Sequence, residues 1–285
     1  MFGSSRDDSK RRAASSTFQC EILESRALMA NGAFVAPDLG PYIASALHGR
    51  NTDSATIERM LTALEDQLNA GPLAALTAGT DTAATFPTDV NNLVVSYQAS
   101  VAQQLSPRFP NITNILISEG TKVEALVAAN EAQLNAGLIS QATYRDQASL
   151  AIQTLTSGGL TPLNAPNSAF VQATKLFESQ LNVLPPTLGV GASPSLTIQQ
   201  VQTVVDAEAT AYSETLTASL VTHPNVLSQV NSALTTLTNR VANIAAGTST
   251  TPGALLTSAI AAFDQAILDT TGLFGPLGAH NRRKR

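Results

Sequence analysis

Few residues in this chain have the type and spacing that chemistry requires. The histidines are His48, His223 and His280. The first and last fall in expected loop or tail, and His223 closes a helix beside Pro224. No HExxH motif or helically spaced pair is present, so no zinc site can be assembled from the spacing. Asp206, Glu208 and Glu214 share one expected helix, and Glu65 adjoins Asp66. Residues two apart on a helix do not face each other, and 208 to 214 spans nearly two turns. These carboxylates therefore read as a solvated polar face rather than an acid/base pair. Ser157-Gly158-Gly159 ends a helix and forms no nucleophile elbow. Gly189-Val190-Gly191-Ala192-Ser193 leads into Pro194 and follows no strand, so it is not a phosphate-binding loop. Asn111-Ile112-Thr113 has the form of a glycosylation acceptor. The pattern predicts no enzyme, no metal and no cofactor. A pocket lined by His223, Tyr212 and an acid would favour catalysis instead.

Composition narrows the classes further. The 285 residues are 44% hydrophobic and 13% charged, with no Trp. That charged share is about half the ~25% of ordinary soluble domains. Residues 31–281 carry seven basic and seventeen acidic side chains, while the basic character sits at the two ends. An acidic body repels phosphate, and neither basic end is interleaved with aromatics, so nucleic acid is not an expected partner. Cys20 stands alone and can form no intrachain disulfide. No apolar run of about 18 residues predicts a membrane span, and Lys10-Arg11-Arg12 precedes no apolar signal-peptide region.

After that basic lead comes Phe18-Gln19-Cys20-Glu21-Ile22-Leu23-Glu24-Ser25-Arg26-Ala27-Leu28-Met29-Ala30. Residues 18–30 resemble the LEPR-XLL domain, a short N-terminal module of surface and exported proteins in planctomycete bacteria. Leu23, Glu24, Arg26 and Leu28 match the family pattern; Ser25 stands where the family has Pro, and Met29 replaces the final Leu. The resemblance implies a targeting motif at Leu23, Glu24, Arg26, Leu28 and Met29, an extracellular or cell-surface location, and export or envelope components as partners. Physically, Phe18, Ile22 and Met29 with either Leu23 or Leu28 would line one side of a short amphipathic helix.

The elements are legible from apolar spacing. Ile57, Met60, Leu61, Leu64 and Leu68 recur at the helical period, with a stop expected at Asn69-Ala70-Gly71-Pro72. Thr88 or Asp89 is expected to cap a helix through Val90, Leu93, Val94, Tyr97, Val101 and Leu105, ending at Pro107. From 111 to 135 the continuous apolar face predicts one helix, although Gly120 and a Thr121/Glu124 capping pattern would also suit two. Gly137-Leu138-Ile139-Ser140 predicts a tight turn into a helix bearing Tyr144, Ala148, Ala151, Ile152 and Leu155. Further helices are expected over 167–183 (Phe170, Val171, Leu176, Phe177, Leu181), from the Thr197/Gln200 capping box to Leu220, over 226–246, and over 252–270 (Leu255, Leu256, Ile260, Phe263, Ile267).

Ile57–Gly71 aligns without gaps to Val123–Gly137, with eight of fifteen positions identical and a shared Gln-Leu-Asn-Ala-Gly ending. A duplicated helical hairpin follows as an expectation, with the Glu and Gln positions of the repeat facing solvent. The chain thus reads as all-α, an antiparallel helical bundle or helical-hairpin array with disordered N- and C-terminal segments. Its expected organisation is a basic N-terminal segment with the targeting motif (1–36), a linker (37–53), a helical region with the duplicated hairpin (54–183), a Pro/Gly-rich linker (184–196), a second helical region (197–272) and a basic tail (273–285). The expected role is structural, adhesive or self-associating at the cell surface; the alternative is a binding module for a small or peptide ligand in an interhelical cleft.

Overall fold

The computed structural model describes residues 52–105, 109–157, 166–189, 191–220 and 223–271. The targeting motif, Cys20, His48, His280 and both terminal segments lie outside them. Among the described residues the fold is all-α, with no strand. The helices are α1 (Thr52–Leu68), α2 (Ala74–Ala78), α3 (Phe86–Leu105), α4 (Pro110–Asn135), α5 (Gln141–Ser157), α6 (Pro166–Asn182), α7 (Ile198–Ser219), α8 (Pro224–Ala246) and α9 (Pro252–Thr271). A π-turn, Asn69–Leu73, joins α1 to α2, and a 3-10 turn, Pro185–Leu188, follows α6.

Two apolar clusters fill the interior. The first gathers α1, α3, α5 and the N-terminal two thirds of α4 around Met60, Phe86, Tyr97, Val123 and Tyr144. The second gathers α6 to α9 around Phe177, Leu181, Tyr212, Leu216 and Phe263. Helices α4 and α7 share the most extensive interhelical contact, across Ala125, Ala129 and Ala211. Small side chains here let two helix backbones approach closely and couple the halves. The stretch 184–196 is packed rather than free: Leu184, Thr187 and Leu196 are buried, and α6 before it belongs to the second cluster.

Helix α4 is one uninterrupted helix, and Gly120 explains why. A Cβ there would sit 2.8 Å from Val94 Cγ1 of α3, so the glycine marks a close crossing rather than a break. Beside it, Gln98 of α3 donates to the Ile117 carbonyl at 3.2 Å and to Thr121 Oγ1 at 3.0 Å. Thr121 itself bonds back to Ile117 O, so the alternative Thr121/Glu124 cap does not form and the expected single helix does. Packing holds the segment helical where local signals allowed a stop.

The repeated Gln-Leu-Asn-Ala-Gly sequence ends its two helices differently. After α4, Gly137 adopts φ +70°, its N–H bonds Leu134 O at 2.9 Å, and Leu138 N–H bonds Gln133 O at 2.9 Å. This is a Schellman stop, and Ser140 Oγ then caps α5 by accepting from the Thr143 N–H at 3.1 Å. After α1, the expected stop at Gly71 is not made. Pro72 is buried inside the π-turn, and the chain stays helical until Gly79, which takes φ +74°. A proline lacks the N–H for an i−4 bond and its ring collides with that carbonyl; widening to a π-turn relieves both and lets Leu76 reach the core.

Helix α3 also starts earlier than expected. Thr82 and Thr85 exchange hydrogen bonds between backbone N–H and side-chain oxygen, and the Phe86 N–H bonds Thr82 O at 2.9 Å. Neither Thr88 nor Asp89 is needed as a cap. The capping box of α7 forms as expected, with Thr197 N–H donating to Gln200 Oε1 at 2.9 Å and Gln200 N–H to Thr197 Oγ1 at 3.2 Å. Leu176 and Leu255, expected in the apolar stripes of α6 and α9, are exposed instead. The buried residues of α6 run through Phe170, Thr174, Phe177 and Leu181, a stripe that leaves Leu176 at its edge.

The scarcity of surface charge has a local counterpart. Hydroxyls of Thr62, Thr77, Ser96, Thr203, Thr210, Thr235, Thr236 and Thr257 bond the carbonyl four residues earlier on their own helices. A Thr so placed satisfies its hydroxyl within the helix at a small cost in propensity.

The three glycines respond to alanine in different ways. Gly71→Ala is expected to stabilise the chain by about 0.5–1 kcal/mol, since it is helical with open space around it. Gly137→Ala, in the same local sequence, is expected to destabilise by about 1 kcal/mol through its left-handed backbone. Gly120→Ala is expected to cost about 1–3 kcal/mol by overpacking against Val94. Urea unfolding of the three variants checks the signs.

Candidate functional site

Polar groups that a helical wheel would assign to water are buried along the junction of α4 and α7. Glu119, Lys122, Asn130 and Gln133 of α4 and Glu208 of α7 are all at most 8% exposed. The cause is topological: α4 packs against α1, α3, α5 and α7, so almost no side of it is left for solvent. Both the reading of Glu208 as a solvated carboxylate and that of the repeat's Gln133 as solvent-facing are corrected by this burial.

Four of these five side chains are paired with one another or with a neighbouring helix. Lys122 Nζ pairs with Glu119, one turn back, and donates to the Thr154 carbonyl of α5 at 3.3 Å. Gln133 Nε2 donates to Glu208 Oε1 across the α4–α7 contact. On α6, Thr174 Oγ1 and Tyr212 Oη are 2.7 Å apart. The Tyr212 ring stacks on Phe177 with centroids 4.7 Å apart and planes 2° from parallel, and Phe263 meets both edge-on.

Lys122, Asn130, Glu208, Phe177 and Tyr212 of this set line a cleft of about 300 Å³, at the small end of the range of roughly 300–1,000 Å³ usual for ligand pockets. Its lining comes from α4 (Lys122, Leu126, Asn130), α5 (Thr154), α6 (Leu176, Phe177, Gln180) and α7 (Glu208, Tyr212, Thr215). Both α4 and α6 pack on α7, which makes α7 the floor and the other two the walls. The exposed Leu176 is a rim residue of this cleft. A second hollow of about 550 Å³ opens beyond the Gln133–Glu208 bond, between Leu138, Val183, Pro186 and Pro194, and Gln180 borders both.

Burial pushes the Glu208 carboxyl up to about 7, an effect partly offset by the hydrogen bond from Gln133. Glu124, half-buried on α4, is also raised by burial to about 7. Burial raises the Tyr212 phenol, with the Thr174 hydrogen bond acting against it and the nearby Glu178 adding to it. Of the expected polar face, Asp206 is exposed and Glu214 half-buried, and burial raises both. Glu65 bonds Thr156 of α5. Tyr212 and the acid Glu208 do line one pocket, but His223 is not among its walls.

Among the described residues, no group of three or more His, Cys, Asp or Glu could hold a metal ion. No helix there is long and apolar enough to cross a membrane. The structure thus defines a helical protein with a polar-floored cleft between helices. No known protein family, curated protein or solved structure matches the chain.

The raised carboxyls make stability depend on pH. A carboxyl whose folded value exceeds the unfolded one holds its proton better in the native state. Its contribution is complete below about 4.5 and lost as pH rises through about 7. The unfolding midpoint is expected to fall between pH 5 and pH 8, with Glu208 responsible for a loss on the order of a few kcal/mol. Glu208→Gln keeps an acceptor for Gln133 and is expected to flatten this slope. Thermal melts at the two pH values measure it.

Proposed function

We propose that the chain is a binding module that holds a small ligand in the α4–α6–α7 cleft, and that it is not an enzyme. The observation that carries this reading is how the cleft's polar groups are used. Lys122 is committed to Glu119, Tyr212 to Thr174 and Glu208 to Gln133. The three titratable groups are thus held apart, each by a partner of its own, with no hydrogen bond between them to pass a proton. Fixed polar groups set between apolar walls suit recognition and orientation of a ligand. The neutral dye Nile red is expected to bind saturably, at one site per chain. Ala173 of α6 also lines the cleft, and Ala173→Phe, which fills that wall, is expected to weaken the binding about tenfold or more in a fluorescence titration; unchanged binding would overturn the cleft as the dye's site.

A second reading concerns where the module works. The resemblance of residues 18–30 to the LEPR-XLL domain supports an exported or cell-surface protein, addressed through Leu23, Glu24, Arg26, Leu28 and Met29, with export or envelope components as partners. The exposed apolar side chains Val95, Leu150 and Leu268, each more than half exposed, support a self-associating or adhesive role there. In host fractionation the chain is expected in the envelope or medium, and mass spectrometry of its N-terminus shows whether residues 1–30 are retained. Full-length protein confined to the cytosol would overturn export.

A further inference from the structure

Glu208 is 2% exposed and lines the cleft, yet its hydrogen bond comes from a neutral amide, Gln133. Among the described residues no lysine, arginine or histidine forms an ion pair with it. A buried carboxylate without a counter-charge is costly, and a cation brought in by a ligand relieves that cost. The cleft's own cation cannot do so. Lys122 is held by Glu119 and the Thr154 carbonyl, and it lies eleven residues from Gln133 on α4, about 16 Å along the axis.

The rest of the cleft complements the body of such a ligand. Tyr212 and Phe177 form a stacked aromatic pair in its wall, and Leu126 and Leu176 supply aliphatic surface. An aromatic and aliphatic wall beside a carboxylate suits an organic cation, whose body packs on the wall while its charge meets the carboxylate. The acidic excess of residues 31–281 also favours approach of a cation over an anion.

We propose that the cleft takes a small organic monocation, a primary ammonium on an aromatic or branched aliphatic body, with the ammonium donating to Glu208 and the body lying against Tyr212, Leu126 and Leu176. This rests on the binding-module reading and names its ligand class. The test is calorimetric titration of the full chain at pH 8 with 2-phenylethylamine, 2-phenylethanol and 3-phenylpropanoate, three probes of similar size and different charge. The amine is expected to bind about tenfold more tightly than the alcohol, and the propanoate more weakly than either. Glu208→Gln is expected to bring the amine down to about the level of the alcohol, collapsing the roughly tenfold amine preference. Equal or tighter binding of alcohol or propanoate to the wild-type chain would sink the cation assignment and leave the binding module standing. If none of the three binds, both are overturned. The wild-type ranking decides the matter even if Glu208→Gln fails to fold.

Discussion

Helix α4 is enclosed by α1, α3, α5 and α7, and most of the structure follows from that enclosure. A 26-residue helix surrounded in this way cannot turn a polar face to water. Several of its polar side chains find partners on neighbouring helices, and its backbone must come close enough to those helices for the partners to reach. Gly120 permits the approach of α3, where Gln98 then ties to Ile117 and Thr121. Ala125 and Ala129 permit the approach of α7, where Gln133 meets Glu208. Lys122 closes the third side by bonding the Thr154 carbonyl of α5. Removing one member of such a buried pair leaves the other desolvated and unpaired, which costs more than the pair contributes.

The same enclosure creates the cleft. Close contact between α4 and α7 at alanines, and between α6 and α7 through Tyr212, leaves a gap where α4 and α6 pack less closely. The gap has a polar floor because Glu208, which bridges α7 to Gln133 of α4, also lines its base. Stability and the proposed ligand binding therefore draw on one set of side chains. Glu208 illustrates this: it is held by Gln133, raised by burial, and presented to the cleft.

The low charge fraction belongs to the same design. Exposed hydroxyls bonded to carbonyls of their own helices supply polar surface without ions. What charge the body has is predominantly acidic. Within the cleft, Glu208 is the buried carboxylate that no lysine, arginine or histidine among the described residues pairs with.

The sequence by itself determined the helical class, most element boundaries and the apolar stripes, because these depend on spacing and on short-range capping. Met60, Leu64, Tyr144, Val201, Tyr212 and Val230 are buried where the 3.6-residue period puts them, and the Thr197/Gln200 box closes as its spacing requires. Only the tertiary structure decided the fate of the polar residues. Periodicity assumes that a helix has one wet face, and α4 has almost none, so Gln133 and Glu208 were legible as polar but not as buried. Their aromatic neighbours were legible as core, though not as a cleft wall. Nor could a local pattern distinguish Gly71 from Gly137 within the same five residues. The outcome turned on the residue that follows each glycine and on the neighbours that cover it: Pro72 is drawn into the core through a widened turn, while Leu138 folds back over a finished helix end.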